Sequence, residues 1–231
     1  MGPKRIVTID GPAGAGKSTV GRLLAQSLGY LYLDSGALYR AVALKTRRAG
    51  LDLDDAEALG QFLEGFHPEM KADTRGFHLV LDGLEISDEI RSEEVGRDAS
   101  RVAVLPVVRR WVKERLRYFG RNGRVVAEGR DQGTAVFPEA RWKFYLDASL
   151  ATRAARRRQD WQRDGEPPDL TAIMADLAAR DHRDETRSEA PLKVPGDAMV
   201  IDTTELSIEQ VVAQCLAVIS DQPDHKPSKH V

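Results

Sequence analysis

Nine residues, Gly11-Pro12-Ala13-Gly14-Ala15-Gly16-Lys17-Ser18-Thr19, constrain this chain more than any other stretch. Their spacing is G-x-x-x-x-G-K-[ST], a loop whose glycines let backbone N–H groups turn inward around a polyphosphate. The flanks suit it. Arg5-Ile6-Val7-Thr8-Ile9-Asp10 is a short β-branched run that predicts a buried strand, and Val20, Leu23, Leu24 and Leu28 recur at helical spacing. A helix starting at the loop adds the partial positive charge of its N-terminus. In that setting the loop binds a nucleoside triphosphate, with Lys17 reaching the β- and γ-phosphates and the Ser18 hydroxyl placed to ligate Mg²⁺.

Four further apolar runs read as strands, at 30–34, 124–128, 142–147 and 198–202. Helical patterns separate them: 36–49, 54–66 with Asp54 as cap, 92–120 broken near Pro106, 150–163, 170–187 capped by Asp169, and 207–220 opened by Ser207 and Gln210. Short strands alternating with helices predict an α/β fold, a five-stranded parallel sheet with helices on both faces. Residues 67–87 depart from this. Phe77 to Leu81, the turn Asp82-Gly83, and Leu84 to Ile86 form a hairpin pattern, so a small antiparallel β insertion is expected. Residues 129–134 read as a turn, and the polar residues 221–231 as a disordered tail. In parallel sheets ligands sit at the carboxyl ends of the strands. The glycine loop, Asp34, Arg130-Asp131 and the arginines after Asp147 all fall at that edge, and one shared site is expected there.

Composition and missing motifs narrow the chemistry. Net charge is −2, so nothing global points to nucleic acid or an anionic membrane. No apolar run approaches the roughly 18 residues a membrane span needs. The single Cys215 precludes an internal disulfide, and the chain enters a strand almost at once, so a cytoplasmic protein is expected. A GTPase switch needs N-K-x-D to read guanine, but the sole asparagine, Asn122, precedes Gly123. A motor ATPase carries an apolar strand ending in a clear Asp, of which Val125-Val126-Ala127-Glu128 is at best a variant. A small-molecule kinase needs a second anion site facing the loop and a cover that excludes water. Arg40 and Arg130 are placed to clamp an acceptor's phosphate. The run Arg153, Arg156, Arg157, Arg158, followed by Gly165 and two prolines, reads as a hinged arginine-rich helical lid. No Ser or His triad is evident, and none is needed when the acceptor is an already ionised phosphate oxygen.

Three segments then carry a more specific likeness. Asp34-Ser35-Gly36-Ala37-Leu38-Tyr39-Arg40, Glu128-Gly129-Arg130-Asp131-Gln132-Gly133-Thr134, and Arg180-Asp181-His182-Arg183-Asp184-Glu185-Thr186-Arg187 with Ala190-Pro191-Leu192 resemble the bacterial cytidylate kinases, P-loop nucleoside monophosphate kinases. The resemblance runs in order from about 5 to 219. It implies transfer of the γ-phosphoryl of ATP to CMP, and to dCMP, with Mg²⁺ as cofactor. It implies Gly11 to Thr19 as the ATP loop and Ser35, Tyr39 and Arg40 at the monophosphate. Ser100, Arg109 and Asp131 would read cytosine, Arg130 would bind phosphate, and Arg180, Asp184 and Arg187 would contact ribose and phosphate. Lys17 with the lid arginines Arg153 and Arg157 would stabilise the transition state. It also implies a single kinase domain over 1–220: a core of 1–34, 121–150 and 188–220, an acceptor-binding region at 35–120, and a lid at about 151–168. A monomer without nucleic-acid or membrane partners is expected. Two positions depart from the family. Ser18 follows Lys17 where some relatives have Gly, which supports metal ligation. Gln132 stands where the family is usually apolar, leaving open whether it alters base selectivity or faces solvent. Two rivals stay open: a kinase for another pyrimidine monophosphate, and a slow ATP-hydrolysing regulator that binds a partner through 67–87.

Overall fold

The strand leading into the glycine loop, β1 (Ile6–Asp10), is buried along its whole length, as a strand covered on both faces must be. The computed structural model describes residues 5–73, 76–161 and 169–220. After the loop the chain forms α1 (Lys17–Leu28), returns as β2 (Leu31–Asp34) and turns at once into α2 (Ser35–Arg48). Asp34 makes that turn abrupt, its Oδ1 accepting from the Ala37 N–H at 3.0 Å. Helix α3 (Ala56–Glu64) is capped by Asp55, whose Oδ1 accepts from Glu57 and Ala58, rather than by the expected Asp54. Both acids suit a cap. The packing of Leu51 and Leu53 on the core decides where the chain enters the helix.

Strands β3 (Glu69–Ala72), β4 (Phe77–Leu81) and β5 (Leu84–Glu85) then form a separate antiparallel sheet in that order. Asp82 and Gly83 both take left-handed backbone, φ 52° and 81°, the geometry of a two-residue hairpin turn. After a 3₁₀ turn at Glu89–Arg91 come α4 (Glu93–Val102) and α5 (Pro106–Gly120), which starts on its proline, where the missing N–H costs no hydrogen bond. The chain re-enters the core as β6 (Val125–Glu128). The residues expected as a turn do more than reverse direction, because Gln132–Val136 forms a π-helical turn. Strand β7 (Trp142–Asp147), helices α6 (Leu150–Trp161) and α7 (Leu170–Thr186), strand β8 (Met199–Asp202) and α8 (Ile208–Ser220) complete the fold. The second half of the expected lid, from 162 to 168, and the expected tail lie outside the described residues.

The main sheet runs β2-β6-β1-β7-β8, all neighbours parallel. The chain leaves β1 toward β2 on one side and later crosses from β6 to β7 on the other. The winding therefore reverses at β1, and the crevice at that reversal is where such sheets bind ligands. Every strand of this sheet ends on a carboxylate at that edge: Asp10, Asp34, Glu128, Asp147 and Asp202. A second, smaller apolar cluster of Ala13, Ala154, Ile173 and Leu177 packs α6 and α7 against the glycine loop itself. Among the described residues no helix is long and apolar enough to cross a membrane.

Candidate active site

The loop's shape explains its glycines. A Cβ on Gly11 would lie 2.0 Å from the Leu146 carbonyl oxygen, so β7 packs directly on the loop backbone. Gly16 opens α1 at φ 87°, a left-handed conformation that side chains rarely adopt. Lys17 is buried and donates from Nζ to the Pro12 carbonyl at 2.6 Å. Burial first, and the charges of Arg130 and Arg180 beside it, push its pKa down to about 7. Ser18 donates from Oγ to Glu128 Oε1 at 2.6 Å, and the Tyr32 hydroxyl donates to the same oxygen at 3.1 Å. A hydroxyl and a carboxylate side by side at the loop are hard oxygen donors of the kind Mg²⁺ takes. Among the described residues no group of three or more His, Cys, Asp or Glu forms a metal cage. Mg²⁺ in nucleotide sites is held instead by one or two protein oxygens and the phosphates, so this pair fits.

Arg153 is where the structure differs most from the lid expectation. It is only 7% exposed and faces the loop. Nη1 donates to the Ala13 carbonyl at 3.0 Å and to Asp181 Oδ2 at 2.5 Å, and Nε donates to Ala148 O at 3.0 Å. Asp181 completes the grip by accepting the Ala13 N–H at 3.1 Å. Both polar groups of one loop peptide residue are thus held by a buried ion pair from α6 and α7. One helical turn on, Arg157 is felt electrostatically by Arg40 and Arg180, which places its charge toward the other half of the crevice.

That other half is built from alternating charges. Arg109 donates to Asp131 Oδ2 at 2.5 Å, and Arg187 lies 3.7 Å from Asp131 Oδ1 and 3.5 Å from Asp184 Oδ1. Asp184 Oδ2 in turn accepts from Arg130 Nε at 2.8 Å. Burial alone would raise the Asp184 carboxyl, but Arg130, Arg180 and Arg187 outweigh it and hold its pKa below the ordinary value. Asp131 lines a cavity of about 350 Å³ together with Tyr39, Arg109 and Gln132. The Arg109 guanidinium sits 5.9 Å from the Tyr39 ring centroid.

Cations crowd the space between the halves. Burial and the charges of Arg130 and Arg40 lower the Arg180 pKa to about 10, and its Nε is buried without a hydrogen-bond partner among the described residues. Arg40 donates to the Ile90 carbonyl at 2.9 Å, and burial lowers its pKa too, with Arg157 and Arg130 adding to the shift despite Asp34. Lys17, Arg40 and Arg180 thus share positive charge that the local carboxylates do not cancel, the electrostatic signature of an anion site, whereas Asp184 and Glu128 outweigh burial at Arg130 and raise its pKa. Ser35 donates to the Glu128 carbonyl at 2.9 Å, tying the start of α2 to the end of β6. Ser100, buried in α4, accepts from Arg183 Nε at 3.2 Å and is not part of the cavity lining.

Three acids here were given no role by the sequence reading. Glu128 and Asp181 sat inside quoted motifs, and Asp10 directly precedes the loop. Asp10 accepts from the N–H groups of Gln132 at 2.8 Å and Gly133 at 2.7 Å, joining the first strand to the segment that carries Asp131. Burial outweighs those two donors and raises its pKa to about 7. The one available signal was position, since each acid ends a strand or adjoins a motif arginine.

The family model described as cytidylate kinase matches residues 7–221. A cytidylate kinase of Pasteurella multocida is 42% identical over 226 residues, spanning 98% of this chain and 100% of that one. Another, from Stutzerimonas stutzeri, is 43% identical over 222 residues, 95% of this chain and 97% of that one. An uncharacterized protein from Eubacterium ventriosum has a solved structure that aligns with a TM-score of 0.51 over 95% of this chain and 99% of its own. At 11% identity that likeness is one of fold alone.

Proposed function

The chain belongs to the cytidylate kinase family and is a nucleoside monophosphate kinase; we propose that it passes the γ-phosphoryl of ATP to CMP, and to dCMP, across the cationic space between the glycine loop and the Asp131 cavity. The observation that carries this reading is the cluster of Lys17, Arg40 and Arg180, whose unbalanced charge lies between two binding halves, with Arg130 beside it paired to Asp184. Residues Gly11 to Thr19 hold the triphosphate. Lys17, poised near neutrality, is drawn to its ammonium form by that anion and follows the transferring group. Arg157 supplies charge from α6. Arg153 acts by positioning the loop, because its Nε and Nη1 hold Ala13, Ala148 and Asp181.

On the acceptor side, Ser35, Tyr39, Arg40, Arg130 and Arg187 surround the monophosphate, and Arg180 and Asp184 the ribose. Asp131 accepts from the cytosine amine while Arg109 donates to the ring acceptors, with Ser100 supporting through Arg183. The acceptor oxygen is already ionised, so the residues act by alignment and charge neutralisation rather than by proton transfer. Ser18 and Glu128 would hold Mg²⁺, which supplies further neutralisation of phosphate charge. The reading keeps 35–120 as the acceptor-binding region and 151–168 as the lid, in a cytoplasmic monomer that binds neither nucleic acid nor membrane. Light scattering on the purified chain checks the monomer. A coupled assay of ADP release tests the activity: release from ATP is expected to rise by orders of magnitude when CMP is added, and no rise over water alone refutes it.

A further inference from the structure

Arg156 belongs to the basic run of α6, yet the reaction described so far gives it no part. It spends both ends of its guanidinium on one residue, Thr203, directly after β8. Nη1 donates to Thr203 Oγ1 at 3.0 Å, and Nη2 to the Thr203 carbonyl at 2.5 Å. Thr203 is 2% exposed, and its N–H donates to the Asp147 carbonyl at 2.7 Å, so the end of β7 holds it as well. A guanidinium can only donate, so the hydroxyl accepts from Arg156 and keeps its own hydrogen to give. It gives that hydrogen to the carbonyl of Ala15, inside the glycine loop, at 3.4 Å. Ser149 donates its N–H to Thr204 Oγ1 at 3.0 Å, which ties this segment to the residue preceding α6.

The peptide that is held matters. The Ala15 carbonyl and the Gly16 N–H belong to one planar trans peptide, so they point in opposite directions. Gly16, at φ 87°, has no side chain to fix that plane. We propose that Thr203, oriented by Arg156, is a positioning residue for the phosphoryl donor: by holding the Ala15 carbonyl it turns the Gly16 N–H toward the triphosphate. This rests on Gly11 to Thr19 being the ATP loop, as the proposed function has it. Neither Thr203 nor Arg156 touches the nucleotide in this scheme. Helix α6 then sets two alternate peptides of the loop. Arg153 braces the Ala13 carbonyl directly, and Arg156 braces that of Ala15 through the threonine hydroxyl.

Thr203→Val keeps the shape of the side chain and removes the hydroxyl, leaving the carbonyl of Ala15, a residue 1% exposed, without that donor. The contact is long for a hydroxyl, but a buried acceptor left unpaired costs more than the bond it loses. The dissociation constant for MgATP, measured by calorimetry on the full chain, is expected to rise about fivefold, and KM for ATP with it, while KM for CMP stays within about twofold. Thr203→Ser, which restores the hydroxyl, should return both ATP values to within about twofold of wild type. Arg156→Met should weaken MgATP in the same direction, and its combination with Thr203→Val should be no weaker than Thr203→Val alone, since both act on one carbonyl. MgATP affinity within about twofold of wild type in Thr203→Val overturns the proposal, as do equal rises in the two KM values, a serine variant as weak as the valine one, or additive losses in the double variant. If Thr203→Val does not fold, as judged by circular dichroism, Arg156→Met carries the test, and unchanged MgATP affinity there overturns the proposal. Wild type that binds no MgATP overturns the reading of the loop itself, a separate result.

Discussion

Asp181→Ala removes one half of the grip on the glycine loop and leaves the Arg153 guanidinium buried without its counter-charge. Both side chains of the pair are about one-tenth exposed, so little solvent screening softens the loss. Breaking a buried ion pair by removing one partner costs about 3–5 kcal/mol. For a chain of this size each kcal/mol is worth about 2–4 °C, so the melting temperature should fall by roughly 6–20 °C. The Ala13 N–H loses its acceptor as well, and ATP affinity should weaken by about tenfold as the loop loosens, near 1.4 kcal/mol. The double variant Arg153→Met with Asp181→Leu separates the two effects. It replaces the pair by apolar groups beside Ile173 and Leu177, and such replacements are often neutral or stabilising. Stability should therefore return while ATP affinity, measured by calorimetry, should not. Two results would refute the reasoning: a loss below about 1 kcal/mol in Asp181→Ala, or full recovery of ATP affinity in the double variant.

Three shorter predictions follow from the same geometry. Lys17→Ala should lower kcat by about 10²–10³-fold while KM for CMP changes little, because Lys17 acts on the donor; unchanged turnover would remove it from the chemistry. Asp131→Asn exchanges an acceptor oxygen for a donor amide, so the CMP-to-UMP ratio of kcat/KM should fall by about tenfold, and a constant ratio would mean that Asp131 does not read the base. Asp10 titrates near 7 in the folded chain against 3.8 for a free carboxyl, so the folded state holds its proton longer. The stability this contributes is complete below about pH 4 and is lost as pH rises through 7. Across that window wild type should lose about 2–4 kcal/mol relative to Asp10→Asn in urea unfolding, and a pH-independent difference would show that Asp10 stays ionised.

Local patterns carried most of the fold. The glycine loop, the strand ends and the Asp82-Gly83 hairpin are each set by residues within a few positions of one another, so spacing and turn chemistry suffice to read them. The α3 cap was missed by one residue because Asp54 and Asp55 are equivalent in propensity and differ only in tertiary packing. The arginines themselves were legible in the sequence, but the different surroundings of Arg153 and Arg157 were not. Arg153 and Arg157 stand one helical turn apart on a single face, so their spacing predicts the same surroundings for both. What separates them is Ala13, 140 positions from Arg153, and Asp181, 28 positions away.

By itself the sequence determined that this chain binds a polyphosphate on a parallel sheet and faces it with cations, since those features are local or compositional. Tertiary structure alone decided which charges are neutralised. It placed Glu128 against Ser18 across 110 residues, locked Arg153 onto the loop with Asp181, and buried the Gln132 amide without a partner among the described residues. Charge compensation and desolvation depend on distances in space, and a linear sequence does not contain them.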